Sequence, residues 1–263
     1  MLLALTRAVS PNLGACQLTH AVRAPIDVET AQAQHRRYEA CLEELGCRIQ
    51  PVAAAPHLPD SVFVEDTAVV LDELAIVARP GAASRRSETE AVVEAVADYR
   101  TLRWIEPPGT LDGGDVLRVG RVLYVGLSTR TNQDAIEQLR AHVEPLGYAV
   151  RPVAVTGCLH LKSAATQVAP DTLLMNRAWL DARRFEGLEL LDVAASEPMG
   201  ANALWIGDTV VCSVAYEKTQ ERLVNRGITV KSLDMSELAK AEGGVTCCSV
   251  IFEVLTGRSS NHA

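Results

Sequence analysis

Gly46-Cys47-Arg48-Ile49-Gln50-Pro51-Val52 sets a glycine three residues ahead of one apolar side chain and six ahead of another. The same spacing returns in Gly147-Tyr148-Ala149-Val150-Arg151-Pro152-Val153 and in Gly227-Ile228-Thr229-Val230-Lys231-Ser232-Leu233. Each copy follows an amphipathic stretch, so the repeated unit reads helix, glycine stop, strand. The clearest helix is predicted from Asp27 to Leu45, where Val28, Ala31, Tyr38, Leu42 and Leu45 share a face. Another is expected from Ser87, where Ser87-Glu88-Thr89-Glu90 has capping-box form, and a third over Asp134 to Leu146.

Short apolar runs stand in pairs between the helices. Ala68-Val69-Val70-Leu71 faces Ala75-Ile76-Val77 across Asp72-Glu73, and Asp115-Val116-Leu117 faces Val122-Leu123-Tyr124-Val125 across Gly120-Arg121. Such pairs with short polar turns read as hairpins, which makes the unit strand, strand, helix, strand. The polar residues just ahead of the leading strands are Asp66, Asp112, His160, Asn202 and Cys247, separated by 46, 48, 42 and 45 positions. A period of this size predicts an α/β fold of five such units, a five-bladed α/β propeller around a central pocket. Leu2 to Thr6 would complete the fifth unit. In a closed ring, equivalent strand ends converge, so the five polar residues would share one pocket. An open doubly wound α/β sheet is the alternative that the pattern leaves standing.

Composition bounds the partners. Hydrophobic residues make up 48% of the 263 residues and charged residues 22%, as in a globular protein. A net charge of -8, with Lys and Arg scattered, argues against nucleic acid and for a small-molecule ligand. No run approaches the roughly 18 apolar residues of a membrane span. Met1-Leu2-Leu3-Ala4-Leu5 meets Thr6-Arg7 with no basic leader, so a cytoplasmic location is expected. The seven cysteines lack CxxC spacing and read as reduced thiols. One catalytic domain over residues 1–263 is expected, possible homodimer formation being left open.

Candidate chemistry begins with "GGVTCCSVIF", residues 243–252. Neighbouring side chains in a strand point to opposite faces, so one of Cys247 and Cys248 would face the pocket while the other packs as core. "GCLHLKS", residues 157–163, puts His160 at the register of the cysteine, although a histidine between leucines also suits a core. "LDGGDV", residues 111–116, adds Asp112 and two glycines that admit a close approach, without a dinucleotide fingerprint. "LPDSVFVED", residues 58–66, interleaves Asp60, Glu65 and Asp66 with apolar side chains. Carboxylates driven toward a core need a cation, and with no basic residue close in sequence a cationic ligand is the economical source. Arg85 and Arg130 occupy similar places in successive units and offer forked donors to a carboxylate. The plainer readings, a solvated acidic face and surface arginines, stay open on the residues alone.

Taken in order, "LPDSVFVED", "RPGAASRR", "LDGGDV", "VGLSTRTNQ", "LHLKS" and "TCCSV" resemble the dimethylarginine dimethylaminohydrolase family, a branch of the guanidino-group-modifying (pentein) superfamily. The resemblance spans nearly the whole chain and implies hydrolysis of Nω-methylated arginines to citrulline and an amine. It implies Cys247 as nucleophile, His160 as general acid and base, and Asp112 as its supporting carboxylate. It also implies Asp66 and Glu65 at the guanidinium, Arg85 and Arg130 at the α-carboxylate, Asp60 and the Leu18 backbone at the α-amino group, and a backbone contact from Ala241. No cofactor or resident metal is implied; zinc on Cys247 and His160 would inhibit by occupying the nucleophile. An arginine deiminase uses the same parts but usually carries an added helical domain, for which 263 residues leave no room. A catalytically silent binder of arginine-like ligands is the remaining alternative.

Overall fold

In the computed structural model, which describes residues 1–254 of the expected 1–263 domain, the strands form five three-stranded sheets of one topology. In chain order they are Ala68–Val70, Leu74–Val77 and Thr101–Trp104; Val116–Val119, Val122–Leu127 and Ala149–Ala154; Ala165–Ala169, Thr172–Met175 and Glu189–Asp192; and Leu204–Ile206, Thr209–Ser213 and Thr229–Leu233. The last sheet joins the two ends of the described chain: Val250–Glu253 pairs antiparallel with Leu2–Thr6, which pairs parallel with Cys47–Pro51. In every sheet the middle strand runs antiparallel to the leading one and parallel to the outer one. A parallel return needs a crossover, and helices Val28–Glu44, Thr89–Ala97, Gln133–Val143 and Glu217–Asn225 supply four of them.

The glycine stops behave as read. Gly46, Gly147 and Gly227 have φ of 88, 84 and 77°, a left-handed turn that a side chain would strain and that sends the chain from helix into outer strand. Gly187, at φ 90°, is a fourth copy. It went unread because its crossover is not an α-helix but the 3-10 turn Ala182–Phe185. Two helix boundaries also differ from expectation. Ser87 does not open a capping box: Ala83–Glu88 is a 3-10 helix, the α-helix begins at Thr89, and the Glu88 carboxylate turns back to Arg85. The helix expected to reach Leu146 ends at Val143, since Pro145 lacks the N–H that an α-helix would use, and a 3-10 turn follows.

Five apolar clusters lie between the sheets, and each draws on two of them. Leu3 and Leu5 of the last sheet share a cluster with Ala75 of the first, Ile76 with Leu123, Tyr124 with Leu173, Leu174 with Val210, and Val211 with Ala4. Leading strands of all five sheets line a cavity of about 740 Å³. Among the described residues no helix is long and apolar enough to cross a membrane.

Candidate active site

The larger cavity does not hold the reactive groups. They gather at one end of the leading strands, where each strand is preceded by a short turn that carries its marker residue. Asp66 sits in the 3-10 turn Val64–Thr67, Asp112 caps the turn Gly113–Asp115, and His160 leads the one-turn helix Leu161–Ala164. Cys247 and Cys248 also lie in a turn rather than a strand, so strand alternation is not what separates them. The separation holds nonetheless: Cys247 lines a small cavity, while Cys248 is fully buried in the core.

Of the anticipated residues, Cys247, His160, Asp60, Asp66, Arg85, Arg130 and Ala241 line that cavity. Asp112 stands behind His160, completely buried, with Oδ2 3.0 Å from Nε2. Its Oδ1 accepts the Gly81 N–H at 2.9 Å, which fixes the carboxylate plane. Glu65 faces the larger cavity instead, bonded to Lys162 at 2.6 Å and to the Thr246 hydroxyl at 2.8 Å. Leu18 is half-buried against the core, and its neighbour Gln17 is the residue on the cavity wall. The fourth marker, Asn202, clamps the site from behind through the Thr246 hydroxyl and the Lys162 carbonyl, both at 3.0 Å.

The two glycines of "LDGGDV" have a steric reason. A Cβ on Gly113 would stand 2.0 Å from the Glu65 carbonyl, and one on Gly114 would stand 2.7 Å from His160 Nδ1. Gly114 N–H also donates to Asp66 Oδ1 at 3.0 Å.

Fixed cations do reach the carboxylates, contrary to the sequence argument. Arg85 Nη1 donates to Asp66 Oδ2 at 2.6 Å, and its remaining donors go to Glu88 and the Phe63 carbonyl. Arg130 keeps capacity: its buried Nη1 has no hydrogen-bond partner, although Asp112 Oδ2 is 3.6 Å away. Glu88, unforeseen in the sequence, is pushed up to about 7 by burial despite Arg85.

Charge sets the protonation of the site. Burial pulls the His160 imidazolium down, but Asp66, the bond to Asp112 and Asp115 together raise it to about 9. Burial pushes Asp66 up, yet His160 and Arg85 hold it at about 2. For Cys247, burial and the nearby Glu65 and Asp66 push the thiol up to about 12, against a 3.3 Å bond from Gly244 N–H. Burial also raises Asp60, whose two oxygens each accept the Gln17 N–H at 3.1 Å. Asp66, Asp112 and His160 bring ligand atoms within 4.8 Å of one another, a spacing open to a metal ion. Arg85 and Gly114 already bond the Asp66 carboxylate, and Gly81 that of Asp112.

The pocket thus presents a thiol, an imidazole paired with a buried carboxylate, further carboxylates and an arginine with an unused donor. The family model for "N,N dimethylarginine dimethylhydrolase, eukaryotic" matches residues 16–176. The chain is 40% identical to an N(G),N(G)-dimethylarginine dimethylaminohydrolase of Streptomyces coelicolor over 94% of this chain and 95% of that one. It is 33% identical to the enzyme of the same name from Pseudomonas aeruginosa, over 86% and 90% of the two chains. A solved structure of that Pseudomonas aeruginosa protein, a cysteine-to-serine variant complexed with citrulline, superposes with a TM-score of 0.90 at 31% identity, covering 95% of this chain and 98% of that one. A histidine-to-glycine variant of a dimethylarginine dimethylaminohydrolase, as an adduct with S-methyl-L-thiocitrulline, also gives 0.90 at 31% identity, covering 95% and 99%.

Proposed function

The chain belongs to the dimethylarginine dimethylaminohydrolase family, and from that premise we propose that it hydrolyses Nω-methylated arginines, asymmetric dimethylarginine and monomethylarginine, to citrulline and dimethylamine or methylamine. It is a hydrolase of C–N bonds. The observation that carries the residue assignment is the meeting at one cavity of a thiol, a histidine bonded to a buried carboxylate and Asp66, drawn from three separate units of the chain.

Asp66 orients the guanidinium, whose positive charge offsets the carboxylates that hold Cys247 protonated, so when substrate arrives the thiol gives its proton to solvent water and reacts as the thiolate. Sγ attacks the guanidinium carbon to form a C–S bond and a tetrahedral adduct. With Nε2 committed to Asp112, His160 delivers its proton from Nδ1 to the departing amine as the C–N bond breaks. His160 then takes a proton from water, the water oxygen bonds to the thiouronium carbon, and the C–S bond breaks as the sulfur takes up the new hydroxyl's proton, releasing neutral citrulline and the Cys247 thiol. That a cysteine variant of one relative holds citrulline and a histidine variant carries a thiocitrulline adduct supports these two roles.

The unpartnered Nη1 of Arg130 takes the α-carboxylate, with Arg85 adding charge beside Asp66. Asp60, pushed up by burial, receives the α-ammonium, and the Leu18 and Ala241 backbones complete that end. Glu65 supports from the far side of Thr246. The five sheets act as one catalytic domain whose blades close into a propeller, a reading supported by the chain of apolar clusters from each sheet to the next and back to the first. Seven free thiols favour a reducing compartment, the cytoplasm.

The test is citrulline formation from asymmetric dimethylarginine and from arginine in parallel, with Cys247→Ser as control. Turnover of the methylated substrate alone, lost in the variant, supports the proposal. Turnover of arginine with release of ammonia makes the chain a deiminase, and silence with both makes it a binder.

A further inference from the structure

Resting on His160 as the acid and base, we infer that Asp115 is a positioning residue for the reaction, acting with Ser128 to hold His160, Asp112 and Arg130 in register. Asp115 is 0% exposed, forms no ion pair with Lys or Arg among the described residues, and lies outside the substrate cavity. A carboxylate buried without a cation is costly unless hydrogen bonds satisfy it, and the bonds here lead to the site. Oδ1 accepts the Leu161 N–H at 2.9 Å, which fixes the first residue of the helical turn that His160 leads. Oδ2 accepts the Ser128 hydroxyl at 2.6 Å.

Ser128 passes the constraint on. Its Oγ accepts the N–H of Arg130 at 3.0 Å and of Thr131 at 3.2 Å, and Thr131 Oγ1 accepts the Asp112 N–H at 3.1 Å. One buried carboxylate therefore reaches the proton donor, its partner and the carboxylate-binding arginine, each through a backbone N–H. The middle strand makes room for it: a Cβ on Gly126 would stand 2.4 Å from Asp115 Oδ1. Burial pushes Asp115 up to about 6, so at neutral pH it is mostly ionised and adds negative potential to that of Asp66 and Asp112 around the His160 ring. Arg85, 2.6 Å from Asp66, and Arg130, 3.6 Å from Asp112, oppose them from the cavity wall, and Cys247 shares the cavity with the ring.

Asp115→Asn and Ser128→Ala test the two arms. Asparagine keeps an acceptor for the Leu161 N–H, removes the charge, and puts an N–H where the Ser128 hydroxyl now finds its acceptor. In Asp115→Asn, the His160 imidazole resonances should titrate at lower pH than in the native protein, and the alkaline limb of kcat should move the same way. In Ser128→Ala, the Arg130 arm loosens, so KM should rise about tenfold while kcat changes less. The imidazole titration is read without substrate, so it stands even if methylated arginines prove not to be turned over. An unmoved His160 titration in Asp115→Asn with the native fold retained, or equal loss in kcat with KM unchanged in Ser128→Ala, overturns the assignment. If Asp115→Asn does not fold, Ser128→Ala alone decides through its split between KM and kcat.

Discussion

Lys162 Nζ lies 2.6 Å from Glu65 Oε1, and this ion pair joins the turn after His160 to the turn that carries Asp66. Both residues line the larger cavity, while the other Glu65 oxygen holds Thr246, the neighbour of the nucleophile, and the Glu65 N–H donates to the Cys247 carbonyl at 3.1 Å. The pair braces the floor of the site. Lys162→Met should leave Glu65 an uncompensated, mostly buried charge and cost about 3 kcal/mol, seen as a fall in denaturation midpoint. Adding Glu65→Gln should restore part of the loss. Equal stability of the single variant and the native chain would show that the bridge contributes nothing.

Cys247→Ser should abolish citrulline formation with little change in stability, since the half-buried side chain makes weak sulfur contacts to the Gly244 N–H and the Thr246 hydroxyl. Cys248→Ser should do the reverse. It buries a hydroxyl in place of an apolar thiol, costing about 1–2 kcal/mol, and should keep most activity. Comparable activity losses in the two variants, with native circular dichroism, would remove the division of roles.

Much of this site was legible in the spacing of polar residues and glycines. Asp66, Asp112, His160, Asn202 and Cys247 stand at equivalent turns because a repeated chain places equivalent positions at equivalent ends of its sheets. The third crossover was hidden since a 3-10 turn has no helical period to read. Arg85 illustrates the deeper limit. Its place in the repeat suggested a carboxylate ligand, but its guanidinium spans 19 positions to Asp66 and so supplies the very cation that the acidic segment lacked locally. Glu88, Asp115 and Lys162 likewise carried no signal, because each takes its meaning from a partner in another part of the chain or from burial.

The alkaline limit of catalysis should follow His160. It must be protonated to release the amine, so kcat/KM should fall as pH rises through about 9. The same proton stabilises the fold. The ring binds it more tightly when folded than at its ordinary 6.5, so the stabilisation is complete below 6.5 and is lost as pH rises to about 9. His160→Gln should therefore narrow its stability deficit against the native chain across that window, by on the order of 3 kcal/mol. A deficit independent of pH between those limits would place the titrating proton elsewhere.

Glu242 should control access. It has φ 60°, a conformation unusual for a side chain other than glycine, and it follows Ala241 on the cavity wall. That turn aims its carboxylate at three successive backbone N–H groups, those of Thr19, His20 and Ala21, each at 2.7 Å. In the same loop the Thr19 hydroxyl accepts from Arg130 Nη2 at 3.1 Å and the Gln17 N–H donates to Asp60, so it is seated on the residues assigned to the amino-acid end of the substrate. The cavity that Gln17 and Glu242 help to line holds only about 10 Å³, so entry of an arginine side chain should require this loop to move. Glu242→Ala removes all three acceptor contacts at once. Trypsin should then cut at Arg23 faster than in the native chain, and KM should rise about tenfold through poorer ordering of the loop over bound substrate. Glu242→Gln, which keeps one oxygen but no charge, should fall between the two. Native cleavage rates and native KM in Glu242→Ala would show that the loop is held by Arg130 and Asp60 alone.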